Sequence, residues 1–157
     1  MTGEEARQKL DGVLAAFGKE VGMEGLATDE NGVCLLVFDG RTTIHMLGDP
    51  GSDSLVVWSN LGAVPADGAE RVLRALMQAN LFWNGTGGAT LGLMPEDDQV
   101  VLSIRRPFEG LGAEGLRNVI ELMVEQAEAL APTVAGEQAP AADAQTVPSQ
   151  LQAFIRG

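Results

Sequence analysis

The chain has 157 residues, 45% hydrophobic and 20% charged, which is enough for one domain that folds on its own core. Its formal net charge of −12 speaks against nucleic acid and against anionic membrane surfaces, since phosphates and acidic headgroups would be repelled. No run of about 18 apolar residues is present to span a bilayer. The acidic start, Met1 to Glu5, lacks an apolar signal region, and the single Cys34 has no internal disulfide partner, so a reducing, cytoplasmic location is expected.

Thr2 with Glu5 reads as a capping box. Leu10, Val13, Leu14, Phe17 and Val21 then recur at helical spacing, and Gly22 is a stop. Leu26 to Thr28 reads as a short extended piece before the Asp29-Glu30-Asn31-Gly32 turn. Val33 to Phe38 is nearly all apolar, as in a strand covered on both faces. Thr42 to Leu47 and Leu55 to Trp58 are two more strands, joined by short turns into an antiparallel meander. Asp67 with Glu70 reads as an aspartate capping box for a second helix, which carries Val72, Leu73, Leu76, Met77 and Asn80 on one stripe. That helix runs out near Phe82 and Trp83, before Asn84-Gly85-Thr86-Gly87-Gly88. Ala89 to Leu93 and Val100 to Arg105 form a hairpin, turning at Pro95 to Asp98. The last helix sets Leu116, Val119, Ile120, Met123, Val124 and Ala127 on one face, and Pro132 is expected to end it.

The order is α-β-β-β-α-β-β-α, which argues for an α+β fold: three helices with a twisted antiparallel sheet. Residues 1–131 form the domain. Residues 132–157 are a Pro- and Ala-rich tail with too little apolar surface to pack, expected to be flexible and ending in the small cluster Leu151, Phe154 and Ile155.

A search for chemistry returns little. His45 is the only histidine, and with Cys34 it would leave a zinc site two ligands short, so no metal and no cofactor are expected. Cys34 lies in an apolar strand, where a thiol is inert. The glycine-rich run at 84–88 follows a helix and precedes a strand, the wrong order for a dinucleotide site, and it lacks the lysine of a P-loop. Glu96-Asp97-Asp98 sits in a hairpin turn without calcium-loop spacing. With no tyrosine in the chain and no nucleophile, base and orienter set, a binding function is favoured over an enzyme.

The run Leu76-Met77-Gln78-Ala79-Asn80-Leu81-Phe82-Trp83, followed by Thr86-Gly87-Gly88-Ala89-Thr90-Leu91-Gly92-Leu93, resembles the signature of the Tir chaperone (CesT-type) family, the class I chaperones of type III secretion. The stretches Gly22 to Leu26, Asp29 to Cys34, Leu55 to Gly62, and Leu111 through Glu128 are similar to other parts of that family, and the likeness runs in order over about residues 5–131. Gly112 stands where the family usually has a polar cap, and the tail after Pro132 is longer than the family's usual end.

The resemblance implies a bacterial cytoplasmic homodimer that binds the N-terminal segment of a secreted effector in extended form, without ATP, and keeps it soluble and export-competent. The export apparatus would be a further partner. For the dimer interface it points to Leu73, Leu76, Met77, Asn80 and Phe82, with Trp58 and Trp83 as anchors. For the client it points to Leu10, Val13, Leu14 and Phe17 on the first helix, with Leu26, Val33, Leu35 and Leu36. An extended client can also add its backbone to a sheet edge. Two other readings stand beside this one. The first is a regulatory protein of the same fold that sequesters a secretion-linked transcriptional regulator or antagonist. The second is a small-molecule binder or thiol enzyme built on Cys34 and His45, which requires an exposed, reactive thiol.

Overall fold

The first helix, α1 (Gly3–Val21), starts at the capping box read from the sequence. The Thr2 hydroxyl accepts a hydrogen bond from the Glu5 backbone N–H at 3.2 Å, and the Glu5 carboxylate accepts one from the Thr2 N–H at 2.6 Å. The helix stops at Gly22, whose φ of +75° is the left-handed geometry that favours glycine, and the Met23 N–H returns to the Gly18 carbonyl at 2.8 Å. The computed structural model describes residues 1–137, and the elements that follow are β1 (Val33–Phe38), β2 (Thr42–Asp49), β3 (Ser54–Ala63), α2 (Ala69–Asn80), a 3₁₀ turn (Leu81–Trp83), β4 (Thr90–Leu93), β5 (Gln99–Pro107) and α3 (Ala113–Val134). The tail cluster Leu151, Phe154 and Ile155 lies outside the described residues.

The strands form one five-stranded antiparallel sheet in the order β1-β2-β3-β5-β4. Register is set by tight turns: Cys34 faces Met46, Leu35 faces His45, and His45 in turn faces Trp58. Contacts group the described chain into two units, one of Met1–Ser59 with Ser103–Glu125, the other of Asn60–Leu102 with the described residues from Gln126. In the first unit, Leu10, Leu14 and Phe17 of α1 are buried, as are Cys34, Leu36, Ile44, Met46, Leu55 and Val57 on one face of the sheet. The helix comes close because β2 has no side chain at Gly48, where a Cβ would lie 2.6 Å from the Ala6 carbonyl oxygen. In the second unit, Val72, Leu76, Leu91, Val100 and Leu102 are buried with Leu130 and Val134.

Several expectations need correction. Leu26 to Thr28 belongs to no strand and is tied to α1 by the Thr28 N–H on Asp11 (2.8 Å) and by Arg7 Nε on the Thr28 hydroxyl (3.0 Å). Asp67 does not cap α2: Gly68 takes the N-cap position with φ +79° and no side-chain bond, which leaves Asp67 one residue too early. Glu70 instead accepts from Arg74 at 2.8 Å. Pro132 does not end α3. The helix continues to Val134 and closes on Gly136 (φ +84°), with the Glu137 N–H on the Pro132 carbonyl (2.9 Å) and the Gly136 N–H on the Thr133 carbonyl (3.1 Å). That is a Schellman closure, and it forms because a proline in the last turn removes only one amide and blocks nothing beyond it.

Candidate binding surfaces

The first unit carries an apolar sheet face that its own helices do not cover. Alternation along β1 sends Cys34 and Leu36 inward and leaves Leu35 at 51% and Val37 at 55% exposed. Across the ladder the same face continues through Thr43, His45 and Leu47 of β2 and Val56 and Trp58 of β3, all half-buried. His45 stacks on Trp58 with ring centroids 4.9 Å apart and planes within 9°. Leu35, His45 and Trp58 thus form one lateral row.

β1 is also an edge strand. Val33 spends its outward groups locally, the N–H on Asp29 Oδ1 (3.0 Å) and the carbonyl on the Asp29 N–H (2.8 Å). By the two-residue alternation of an antiparallel ladder, Leu35 and Val37 point their N–H and C=O groups the same way. Among the described residues no strand pairs with them. The strand holds no proline and no lysine, the usual devices that blunt an edge.

The residues expected to bind a client are therefore divided. Leu10, Leu14, Phe17 and Leu36 are core, because the inward stripe of α1 and the inward face of β1 cover each other. Val13, Leu26 and Val33 are half-exposed and Leu35 is exposed. Within the subunit β1 is accordingly covered on one face, which leaves the second cover to a partner. Trp58, expected at a dimer interface, lies in the row with Leu35. Val37, Leu47 and Val56 were missed; period-two alternation combined with hairpin register was the signal that could have found them.

The second unit has its own exposed apolar group. Helix α2 buries Val72 and Leu76 but leaves Leu73 and Met77 outward, Met77 at 71% exposed. These two line an apolar groove with Leu76, Asn80, Leu91 and Leu93. Leu81, Phe82 and Trp83 are exposed beyond the helix end, as are Leu93 and Met94 at the end of β4. Phe82 and Trp83 both hold positive φ, +52° and +54°, a conformation that costs about 1–2 kcal/mol per non-glycine residue. The turn is pinned by the Gly85 N–H on the Ala79 carbonyl at 2.9 Å. A Cβ at Gly85 would sit 2.8 Å from that of Ala79, so the glycine permits the tight reversal. The run 84–88 serves this turn into β4. Of the expected interface residues, Leu73, Met77, Phe82 and Trp83 are accessible. Leu76 is buried, and the Asn80 amide bonds the Leu91 backbone.

The thiol reading fails on geometry. Cys34 pairs with Met46 and His45 with Leu35, so Cys34 and His45 project from opposite faces of the sheet. Cys34 is 2% exposed, and burial, followed by the charges of Asp11 and Asp29, pushes its thiol up to about 11. Among the described residues no cluster of three histidine, cysteine or carboxylate side chains is placed to hold a metal. No helix among them is long and apolar enough to cross a membrane.

Residues 12–131 match the model of the Tir chaperone protein (CesT) family. The chain belongs to the Tir chaperone (CesT) family, and its class is that of a chaperone. It is 27% identical over 118 residues to a Tir chaperone of Citrobacter freundii, covering 75% of this chain and 74% of the relative. To a Tir chaperone of Escherichia coli O157:H7 it is 26% identical over the same shares. Among solved structures, a chain in the HopA1–SchA chaperone–effector complex matches with a TM-score of 0.66 at 17% identity, over 81% of this chain and 96% of that one. A chain in the ExsC–ExsE complex matches with a TM-score of 0.65 at 22% identity, over 78% and 90%. At these identities the structural likeness speaks for the fold.

Proposed function

We propose that this chain is a type III secretion chaperone that receives the N-terminal segment of a secreted effector, in extended form, at the β1 edge and outward sheet face of its first unit. The observation that carries this reading is the open edge at Leu35 and Val37, whose backbone groups have no strand neighbour among the described residues and which are more than half exposed. A client backbone bonded there gains affinity with little sequence demand, and alternate client side chains cover Leu35 and Val37. Val13 and Leu26 offer a second apolar contact, on α1 and just beyond it.

Each apolar side chain fully buried contributes about 1.5–3 kcal/mol, against an ordering cost set by the disordered state of the free client. The complex therefore needs several such contacts along an extended segment. A client bound in this way keeps its own strands and helices unformed, which suits passage to an export apparatus. It also hides its apolar segments from aggregation. The chaperone would do this in the bacterial cytoplasm, where the client is made.

The second unit supplies the homodimer contact in this reading. Leu73, Met77, Phe82 and Trp83 form an exposed apolar group that a second copy covers, as an isologous interface requires. Trp58 belongs to the client face.

The test is amide exchange and light scattering on the purified chain with a panel of effector N-terminal segments. The expected result is a dimer that takes up an extended segment and gains protection at the Leu35 and Val37 amides. A complex that protects neither amide would move the client site elsewhere.

A further inference from the structure

The other edge of the sheet, β4, is closed by a side chain. The Leu91 N–H donates to Asn80 Oδ1 at 2.8 Å, and the Leu91 carbonyl accepts from Asn80 Nδ2 at 3.0 Å. One carboxamide thus makes both bonds that an added strand would make at this residue. The hairpin bond from the Met94 N–H to the Gln99 carbonyl (2.8 Å) turns even-numbered residues of β4 toward β5, so Ala89, Leu91 and Leu93 point outward. The Ala89 N–H is held by the Thr86 carbonyl at 3.2 Å. Leu93 is the remaining outward residue of this four-residue strand.

We infer that Asn80 is a positioning residue that closes the β4 edge against strand addition, so that extended partners are confined to β1. The two edges need opposite treatment because both are apolar: Leu93 and Met94 are exposed at β4 as Leu35 and Val37 are at β1. An open apolar edge pairs with whatever strand reaches it. The carboxamide at the last residue of α2 blocks that pairing with no added chain. The consequence for client choice rests on the proposed strand addition at β1; the closure of β4 does not.

The experiment uses the full chain and a strand probe, a synthetic peptide of the β1 sequence 33–38 flanked by lysines. Asn80→Leu removes both bonds at similar size. Asn80→Asp keeps the acceptor for the Leu91 N–H but sets a second oxygen against the Leu91 carbonyl. Both variants are expected to exchange the Leu91 amide about 10- to 100-fold faster and to bind one more probe per subunit than the unaltered chain. Asn80→Asp decides the matter if Asn80→Leu does not fold. The difference in count tests Asn80, whereas the count for the unaltered chain tests the β1 reading, so the two fail separately. Equal counts in folded variants and parent, with or without faster exchange at Leu91, would reduce Asn80 to a stitch between helix and strand and overturn the inference.

Discussion

Helices α1 and α2 carry the same kind of apolar stripe, and the molecule uses them in opposite ways. In α1 the middle of the stripe, Leu10, Leu14 and Phe17, is buried in the first unit, helped by Gly48, which lets helix and strand backbones approach, while Val13 is half-exposed and Val21 at the helix end is exposed. In α2 only Val72 and Leu76 turn inward, while Leu73 and Met77, their neighbours on the helical wheel, face out. A stripe at helical spacing says that a helix has something to cover. Only its width against the cover available inside the subunit says whether a partner must complete the job.

The comparison can be broken most sharply at Leu14. Leu14→Ala empties a fully buried position in α1 and should cost about 2–5 kcal/mol, read as a lower urea midpoint at unchanged slope. If α2 instead faces a second copy, Met77→Glu should leave the subunit folded and weaken self-association about 100-fold or more, halving the mass seen by light scattering at micromolar concentration. A Met77→Glu protein that remains dimeric would remove α2 from the interface. Leu35→Asp, on the exposed face of β1, should lower affinity for an effector segment at least about tenfold, with a stability change of roughly 0.5 kcal/mol or less. Calorimetric titration beside a urea curve separates the two effects.

The smallest effect is at the start of α1. Thr2→Ala removes a cap and should cost about 1 kcal/mol. Hydrogen bonds from the Thr2 backbone and side chain hold the Glu5 carboxyl below the usual carboxylate range. A carboxylate with a depressed folded pKa stabilises fully above its unfolded value, near 4.5, and loses that contribution as the pH falls toward the folded one. Glu5→Gln should therefore flatten the acid limb of the stability curve below about pH 4.5, whereas Thr2→Ala, which keeps the backbone donor that is the larger cause, should flatten it only in part.

Much of this was legible in the residues because the cues were local. Thr2 and Glu5 meet within one helical turn, and Gly22 supplies its own left-handed φ. Where local cues failed, a neighbour had outbid them. Asp67 was displaced from its capping role by Gly68, and Pro132 was carried past by a helix whose last residue, Val134, is buried. The candidate sites were less legible. Leu10 and Leu35 are both aliphatic, and composition does not say that one is sealed in the core while the other faces outward on an edge strand.

The sequence alone determined the element order, the helix limits within a few residues and the family resemblance, because each depends on spacing over a few residues or on a motif read in order. Tertiary structure decided which apolar side chains remained exposed, that Cys34 and His45 lie on opposite faces, and that Asn80 bonds Leu91 of β4 while no strand among the described residues pairs with the outer side of β1. Those outcomes depend on which backbones pair and in what register, and a shift of one residue in a strand exchanges its two faces.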